Sequence, residues 1–476
     1  MSQLALVLTL AFILFLFRRK PEQRVKVSTA LWLPLIWFVV AGSRPLGDWF
    51  GFTEPEDTTA GSPLDAATYF SLSVLGCYVL KKRQVTFAQF FRNNRWLTIF
   101  LLYCLVSVLW SQFPAIAFKR WIKVIGNVIM ALVVLTDSDP QEAIRSLLKR
   151  IAYLMVPLSI LLIIWYPDFA QGYDLQTGIW SCVGVTDNKN TLGHVCMILG
   201  LFFYWNTLIV LRRENPRARP GELFWSVIFL GMVCWLLWMS NSSTSKASMF
   251  VGVLMLILLG LRSVNKRFIG TYLLIGLTGL VAANMVFGFY GSLVQSLGRD
   301  VTFTGRTDLW QALLGLQPSP IFGTGFESFW LGERLEKLWR QFGWLPSEAH
   351  NGYLEIYLHL GGAGLLLFGG LIIATFSKIR MELFRRFELG RFRLAFLIVI
   401  LLYNCSEAGF VNVHNVYTMF FLIAVDFPTP RRLGSKRISD SVDGKAEEAA
   451  VCVSGAMKMA REFVQLPRTG AGPGFC

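Results

Sequence analysis

The chain has 476 residues, 54% of them hydrophobic and 16% charged, with Lys and Arg outnumbering Asp and Glu 45 to 30. No ordinary soluble domain carries so much apolar surface with so little charge, so the excess must face lipid. The formal charge of +15 would suit a nucleic-acid partner if it formed one patch, but it is spread over many short connections, and no nucleic acid is expected.

Charge-poor runs of roughly 15 to 22 residues recur along the chain, and about 20 residues of helix cross a bilayer core. Thirteen candidate spans fall near 3 to 17, 28 to 42, 64 to 80, 96 to 112, 121 to 135, 151 to 166, 191 to 211, 223 to 240, 247 to 261, 268 to 287, 351 to 376, 394 to 408 and 411 to 425. Arg18, Arg19 and Lys20 follow the first run where a signal peptide would be cleaved, so it reads as an anchor. The last two runs are separated by Asn404-Cys405-Ser406-Glu407-Ala408-Gly409, and could be one broken helix, giving twelve spans. The expected fold class is all-α, a polytopic transmembrane helix bundle of about 12–13 spans with one larger outer-facing helical loop.

Alternating the spans gathers 34 of the 45 Lys and Arg on one set of connections and leaves 11 on the other. Cytoplasmic loops are the basic ones, which puts the N-terminus outside and the C-terminal tail inside. Residues 1–427 are expected to form the membrane domain, with its outer loop at 289–350; 428–476 is expected to be a cytoplasmic basic tail without fixed structure. Most of the eight cysteines lie in spans and are expected to stay reduced.

Two outer connections are long enough to carry function. The first, 167 to 190, ends in Asp187-Asn188-Lys189-Asn190 just before the seventh span. The second, about 289 to 350, holds two amphipathic patterns, 307 to 316 and 327 to 342, separated by Pro318-Ser319-Pro320 and Gly323-Thr324-Gly325. Interleaved Trp, Leu and Arg predict a small cap of helices at the outer membrane surface.

Charged groups near spans are costly and need a reason. Lys119, Arg120, Lys123, Lys189, Lys246 and Arg306 sit at or near outer ends, with Glu348, His350, Asn351, Glu355 and His359 entering the eleventh span. Cations converging with a histidine and carboxylates suit binding a diphosphate and activating a hydroxyl. Spacing of four places Asn351, Glu355 and His359 on one face. His350 can be a general base or an interfacial helix cap, and His359 reads as a satisfied buried histidine. Arg120 and Lys123 can equally be interfacial anchors. Backbone N–H groups at Gly323-Thr324-Gly325 could add an anion site, although a simple turn explains those glycines as well. No His and carboxylate cluster has ligand spacing, so neither a metal nor another cofactor is expected.

Three patterns make the chain resemble the O-antigen ligase and Wzy-type polymerase superfamily, most of all exopolysaccharide polymerases. They are Thr304-Gly305-Arg306-Thr307-Asp308-Leu309-Trp310 leading to Pro320-Ile321-Phe322-Gly323-Thr324-Gly325, then Ala349-His350-Asn351-Gly352-Tyr353-Leu354, and earlier Asn188-Lys189-Asn190-Thr191-Leu192-Gly193. The resemblance covers about residues 90 to 425. It implies a metal-independent glycosyltransferase in the inner (plasma) membrane, moving sugar from a polyprenyl diphosphate-linked oligosaccharide to a glycan acceptor on the outer face, and working in the lipid bilayer with a possible chain-length regulator. Under that reading Arg306, with Lys189, Lys246 or Arg120, holds the diphosphate, His350 or Glu348 takes the acceptor proton, and Asn351 and Glu355 support them. Nothing in these patterns reads the acceptor, so an O-antigen ligase acting on lipid A core is the rival enzyme and a transporter of lipid-linked sugar the rival from another class.

Overall fold

The computed structural model describes residues 1–19, 27–51, 62–173, 178, 180–212, 219–287, 306–342, 345–410 and 413–427. The expected tail at 428–476, and the part of the outer loop at 289–305 that includes Thr304 and Gly305, lie outside the described residues. Each of the thirteen expected spans is helical: α1 (Ser2–Arg18), α2 (Trp32–Gly42), α3 (Pro63–Lys82), α4 (Arg95–Val106), α5 (Pro114–Leu135), α6 (Pro140–Trp165), α7 (Lys189–Arg212), α8 (Arg219–Met239), α9 (Ser243–Gly260), α10 (Ile269–Phe287), then α13 (Gly352–Arg385), α14 (Phe387–Tyr403) and α15 (Asn415–Ala424). Two cap helices come between them, α11 (Arg306–Gly315) and α12 (Glu333–Gln341). A two-stranded antiparallel hairpin, β1 (Gln171–Tyr173) with β2 (Trp180–Cys182), folds the first long connection back on itself, with Gln171 opposite Cys182.

Six of these helices are long and apolar enough to cross a membrane by themselves, and the chain is a multi-pass membrane protein. Their outward faces carry large apolar side chains such as Phe70, Trp238, Phe250, Leu366 and Ile373, which need lipid. Two helices are different. α7 is mostly buried, and all ten residues of α15 are. Ten residues rise about 15 Å, half of a hydrocarbon core. α15 therefore occupies half the membrane depth inside the bundle, and on the way into it Asn404 and residues 407 to 410 are buried in protein. That is the setting in which non-helical backbone survives at membrane depth.

α13 is also interrupted. Gly361 has φ 66°, and the helix breaks there into a short outer piece and a long inner one. A break exposes carbonyl and N–H groups that lipid cannot satisfy. Residues 317 to 325 fill them. Gln317 donates to the Tyr357 and Leu358 carbonyls at 2.8 and 3.1 Å, and Thr324 N and Gly325 N donate to Leu358 and His359 at 3.1 and 3.0 Å. In return Gly362 N and Ala363 N donate to Pro320 and Ile321 at 2.8 and 3.1 Å. Tyr103 on α4 caps the Leu360 carbonyl at 3.0 Å.

This corrects one expectation. The N–H groups of Gly323-Thr324-Gly325 are committed to Ser319, Leu358 and His359 carbonyls and offer no anion site. The glycines are there for close approach: a Cβ on Gly323 would stand 2.4 Å from the His359 carbonyl oxygen. The second amphipathic pattern is shortened in the same way, because 327 to 332 forms turns against the bundle and α12 starts at Glu333.

At the opposite, basic end, arginines cap helix ends. Arg391 Nε donates to the Leu256 carbonyl at 2.8 Å and Arg393 Nε to Ile423 at 2.9 Å, while Arg83 pairs with Asp137 at 3.1 Å. Cations at C-terminal carbonyls satisfy both hydrogen bonding and the helix dipole. The described cysteines are free.

Candidate active site

The cap has its own small core. Leu309 and Leu313 of α11, Phe329, Leu338 of α12 and Ala349 pack on Leu358 of α13. Trp310 Nε1 donates to the Ala349 carbonyl at 2.8 Å, and Trp330 Nε1 reaches both oxygens of Glu355 at 3.1 and 2.9 Å. Glu355 also accepts from Ala349 N at 2.5 Å and meets His359 Nε2 at 3.1 Å, and His359 Nδ1 accepts from Phe329 N at 3.3 Å. Glu355 and His359 are thus spent on latching the cap to α13. Asn351 caps that helix, its side-chain oxygen accepting from Tyr353 N and Leu354 N at 3.0 and 3.1 Å.

Pinned on both sides, His350 adopts φ 48°, a left-handed conformation that a residue with a Cβ resists. Gly352, two residues on, lies against the 404–409 turn, and its N–H donates to the Asn404 and Glu407 carbonyls at 2.9 and 3.0 Å. A Cβ on Gly352 would meet Asn404 Oδ1 at 2.1 Å. The outcome is that the His350 side chain faces Glu407.

Glu407 is the hub. Its Oε1 takes Arg306 Nη2 at 3.2 Å, and its Oε2 takes His350 Nδ1 at 3.3 Å and Asn190 Nδ2 at 3.2 Å. Arg306 also donates to the Ser406 carbonyl. Glu348 Oε1 lies 2.9 Å from His350 Nδ1. The side chain of Glu407 is 5% exposed, those of Arg306 and His350 15% and 17%, and that of Glu348 38%. The cluster therefore runs from a sealed carboxylate to an open one.

Electrostatics follow from that gradient. Burial lowers the His350 pKa, but Glu348 and Glu407 outweigh it and raise it to about 10. Glu407, more deeply buried, has the His350 imidazole on one oxygen and the Arg306 guanidinium on the other. The His350 imidazolium thus sits between Glu348 and Glu407, and Arg306 pairs with Glu407 from the other side. Glu348, His350 and Glu407 also bring one ligand-type atom each within 4.8 Å of the others. That corrects the expectation that no histidine and carboxylates stand at ligand spacing; a metal ion there would compete with the proton on His350 and with Arg306 for Glu407.

Arg306, Glu348 and His350 are brought together, with Asn351 and Glu355 behind them. Lys189 opens α7 one residue before Asn190, and Lys246 shares the first turns of α9 with Thr244, whose hydroxyl is 3.0 Å from Ser406 Oγ. Lys246 Nζ itself lies 4.9 Å above the Trp238 ring. Arg120 is elsewhere, donating to the Glu327 carbonyl and lining a cleft beside α3. Sequence reasoning gave no role to Glu407 or Asn190. A carboxylate inside the polar interruption of an apolar run was the available signal for Glu407.

The O-antigen ligase family model matches residues 227–369, which contain Arg306, Glu348 and His350 but stop short of Glu407. The exopolysaccharide production protein ExoQ of Rhizobium meliloti (strain 1021) is 25% identical over 294 residues, 59% of this chain and 64% of ExoQ. The match thus spans less than two thirds of that relative. With the bundle, the cap and the ordered motifs already described, these matches make the chain similar to the O-antigen ligase and Wzy-type polymerase family, most directly over residues 227–369.

Proposed function

We propose that the protein is a glycosyltransferase that joins polyprenyl diphosphate-linked oligosaccharide repeats into exopolysaccharide at the outer face of the inner membrane. The observation that carries this reading is the convergence of Arg306 and His350 on the buried Glu407, with Glu348 at the open rim. In the reaction the bond between the donor's anomeric carbon and the diphosphate oxygen breaks, and a bond from that carbon to the acceptor oxygen forms. Polyprenyl diphosphate leaves with the electron pair, and the hydroxyl proton goes to a base. Arg306 and the His350 imidazolium would stabilise the charge that grows on the leaving diphosphate, with Lys189 and Lys246 near enough in the fold to assist. Of the two proposed bases, a protonated His350 has no lone pair to offer, which favours Glu348, oriented by its 2.9 Å contact with His350. We propose no metal in this step, since the two side-chain cations already neutralise Glu407.

The broken α13 and the half-depth α15 are features that transporters share. In this chain the break is bridged by a set of backbone hydrogen bonds from residues 317 to 325, which suits a fixed platform better than a gate.

The test measures lipid-linked oligosaccharide and polymer pools in cells lacking the native gene, complemented with wild type, His350→Gln, Glu348→Gln or Arg306→Gln at matched membrane expression. Wild type should restore polymer, and the variants should accumulate single lipid-linked repeats with rates lowered about 100-fold or more, the usual scale for removing a general base or a charge stabiliser. A chelator should leave transfer in isolated membranes unchanged. Full polymer from all three variants would refute the site, and repeats trapped on the inner face would favour transport.

A further inference from the structure

A second cationic site lies apart from the Glu407 cluster. Between α3 and α5 there is a cleft of about 480 Å³ whose walls include Tyr69, Phe70 and Ile116 and whose charged lining is Lys119, Arg120 and Lys123. Positions 119, 120 and 123 share one face of α5 within a turn. Among the described residues, the carboxylates that face Lys123 are Glu327 and Asp65. Neither Arg306, Glu348, His350 nor Glu407 lines this cleft. It opens at the same end of the bundle as the cap, because Arg120 donates to Glu327, two residues after the Gly325 that holds α13. Its apolar wall faces lipid, since Phe70 is 62% exposed. Cations clustered this near a lipid-facing surface are retained where an anion offsets their cost.

We infer that this cleft holds the diphosphate headgroup of a second polyprenyl lipid, the acceptor, while the Glu407 cluster holds the donor's. The inference rests on the polymerase reading above: there, both substrates carry a lipid diphosphate and only the donor loses one, so two phosphate sites are needed at one membrane end. Tyr69, Phe70 and Ile116 accept the first part of the isoprenoid, and Lys119, Arg120 and Lys123 the phosphates. A ligase with a different acceptor lipid has no need of a second isoprenoid diphosphate site.

The experiment is native mass spectrometry of the full chain in phosphatidylcholine nanodiscs titrated with unsubstituted polyprenyl diphosphate, with phosphatidylglycerol as the competing anionic lipid. Wild type should bind two equivalents, Lys119→Gln/Lys123→Gln one, Arg306→Gln one, and Lys119→Arg/Lys123→Arg two again. In a polymerisation assay the Gln pair should raise KM for the acceptor about tenfold, the scale of losing a charge-assisted hydrogen bond, and change kcat little. If the Gln pair keeps two equivalents, or wild type binds one that Arg306→Gln abolishes, the second site is wrong and the polymerase site stands. If Arg306→Gln keeps two and the Gln pair one, it is the Glu407 cluster that fails as the donor site. Displacement of one equivalent by phosphatidylglycerol at similar concentration would make the cleft a general anionic lipid site and overturn the acceptor assignment.

Discussion

At the scale of single residues, a buried carboxylate organises the site. Glu407 is tolerable at 5% exposure because Arg306, His350 and Asn190 all donate to it. Removing one partner of such a pair strands the other, so Glu407→Ala should destabilise the protein by roughly 3–5 kcal/mol and should also abolish transfer. His350 makes the same network pH-dependent. Its folded pKa of about 10 lies above the unfolded value of about 6.5. The stabilisation it contributes is therefore complete below about pH 6.5 and is lost as pH rises towards 10. Thermal melts in detergent from pH 6 to pH 10 should show this decline in wild type and a flatter profile in His350→Gln. Equal slopes for the two would mean that His350 is not held as the imidazolium.

Among the elements, two discontinuities position the chemistry. The break in α13 turns its first nine residues into a short platform that carries His350 at its entrance, and the polar turn before α15 carries Glu407 to meet it. Neither works without backbone partners from elsewhere: residues 317 to 325 for the first, Gly352 for the second. Gly361 is where this dependence is sharpest. Its φ is 66°, and an added Cβ would stand 2.2 Å from the Ile321 carbonyl oxygen. Gly361→Ala should cost on the order of 1–3 kcal/mol for the left-handed backbone, with the clash in addition. It should lower Tm and polymer yield together; an unchanged Tm would show that the 317–325 strap does not fix the break.

For the whole molecule, charge separates by end. The basic end uses Arg83, Arg391 and Arg393 to cap or pair helix termini, and the other end uses Arg306 and His350 in the candidate site. If the basic end is cytoplasmic, the cap end faces outward. In a cysteine-free background, Gln112→Cys at the cap end should react with a membrane-impermeant maleimide in intact cells, and Arg262→Cys, between α9 and α10, should react only after lysis. The reverse pattern would invert the proposed topology.

Much of this was legible in the sequence, for physical reasons. Crossing a membrane is a local requirement on about 20 successive residues, so all thirteen helical segments could be read from hydropathy, with α14 and α15 as separate spans and one helix broken at Asn404–Gly409 as the alternative. Arg306, Glu348 and His350 were legible because the ordered motifs fall on them or beside them. Hydropathy could not show that Gly361 breaks its helix, since the run stays apolar across it. Nor could it show that the Gly323–Gly325 amides are spent on that break. Glu407 meets His350 across 57 positions and Arg306 across 101, and Arg120 parts from Arg306 to line another cleft. The sequence by itself determined that this chain is a membrane helix bundle with its candidate chemistry at one end, because lipid solvation acts on each segment alone. Which charges share a pocket was decided by the tertiary structure, because a buried ion is stable only where distant parts of the chain supply its partners.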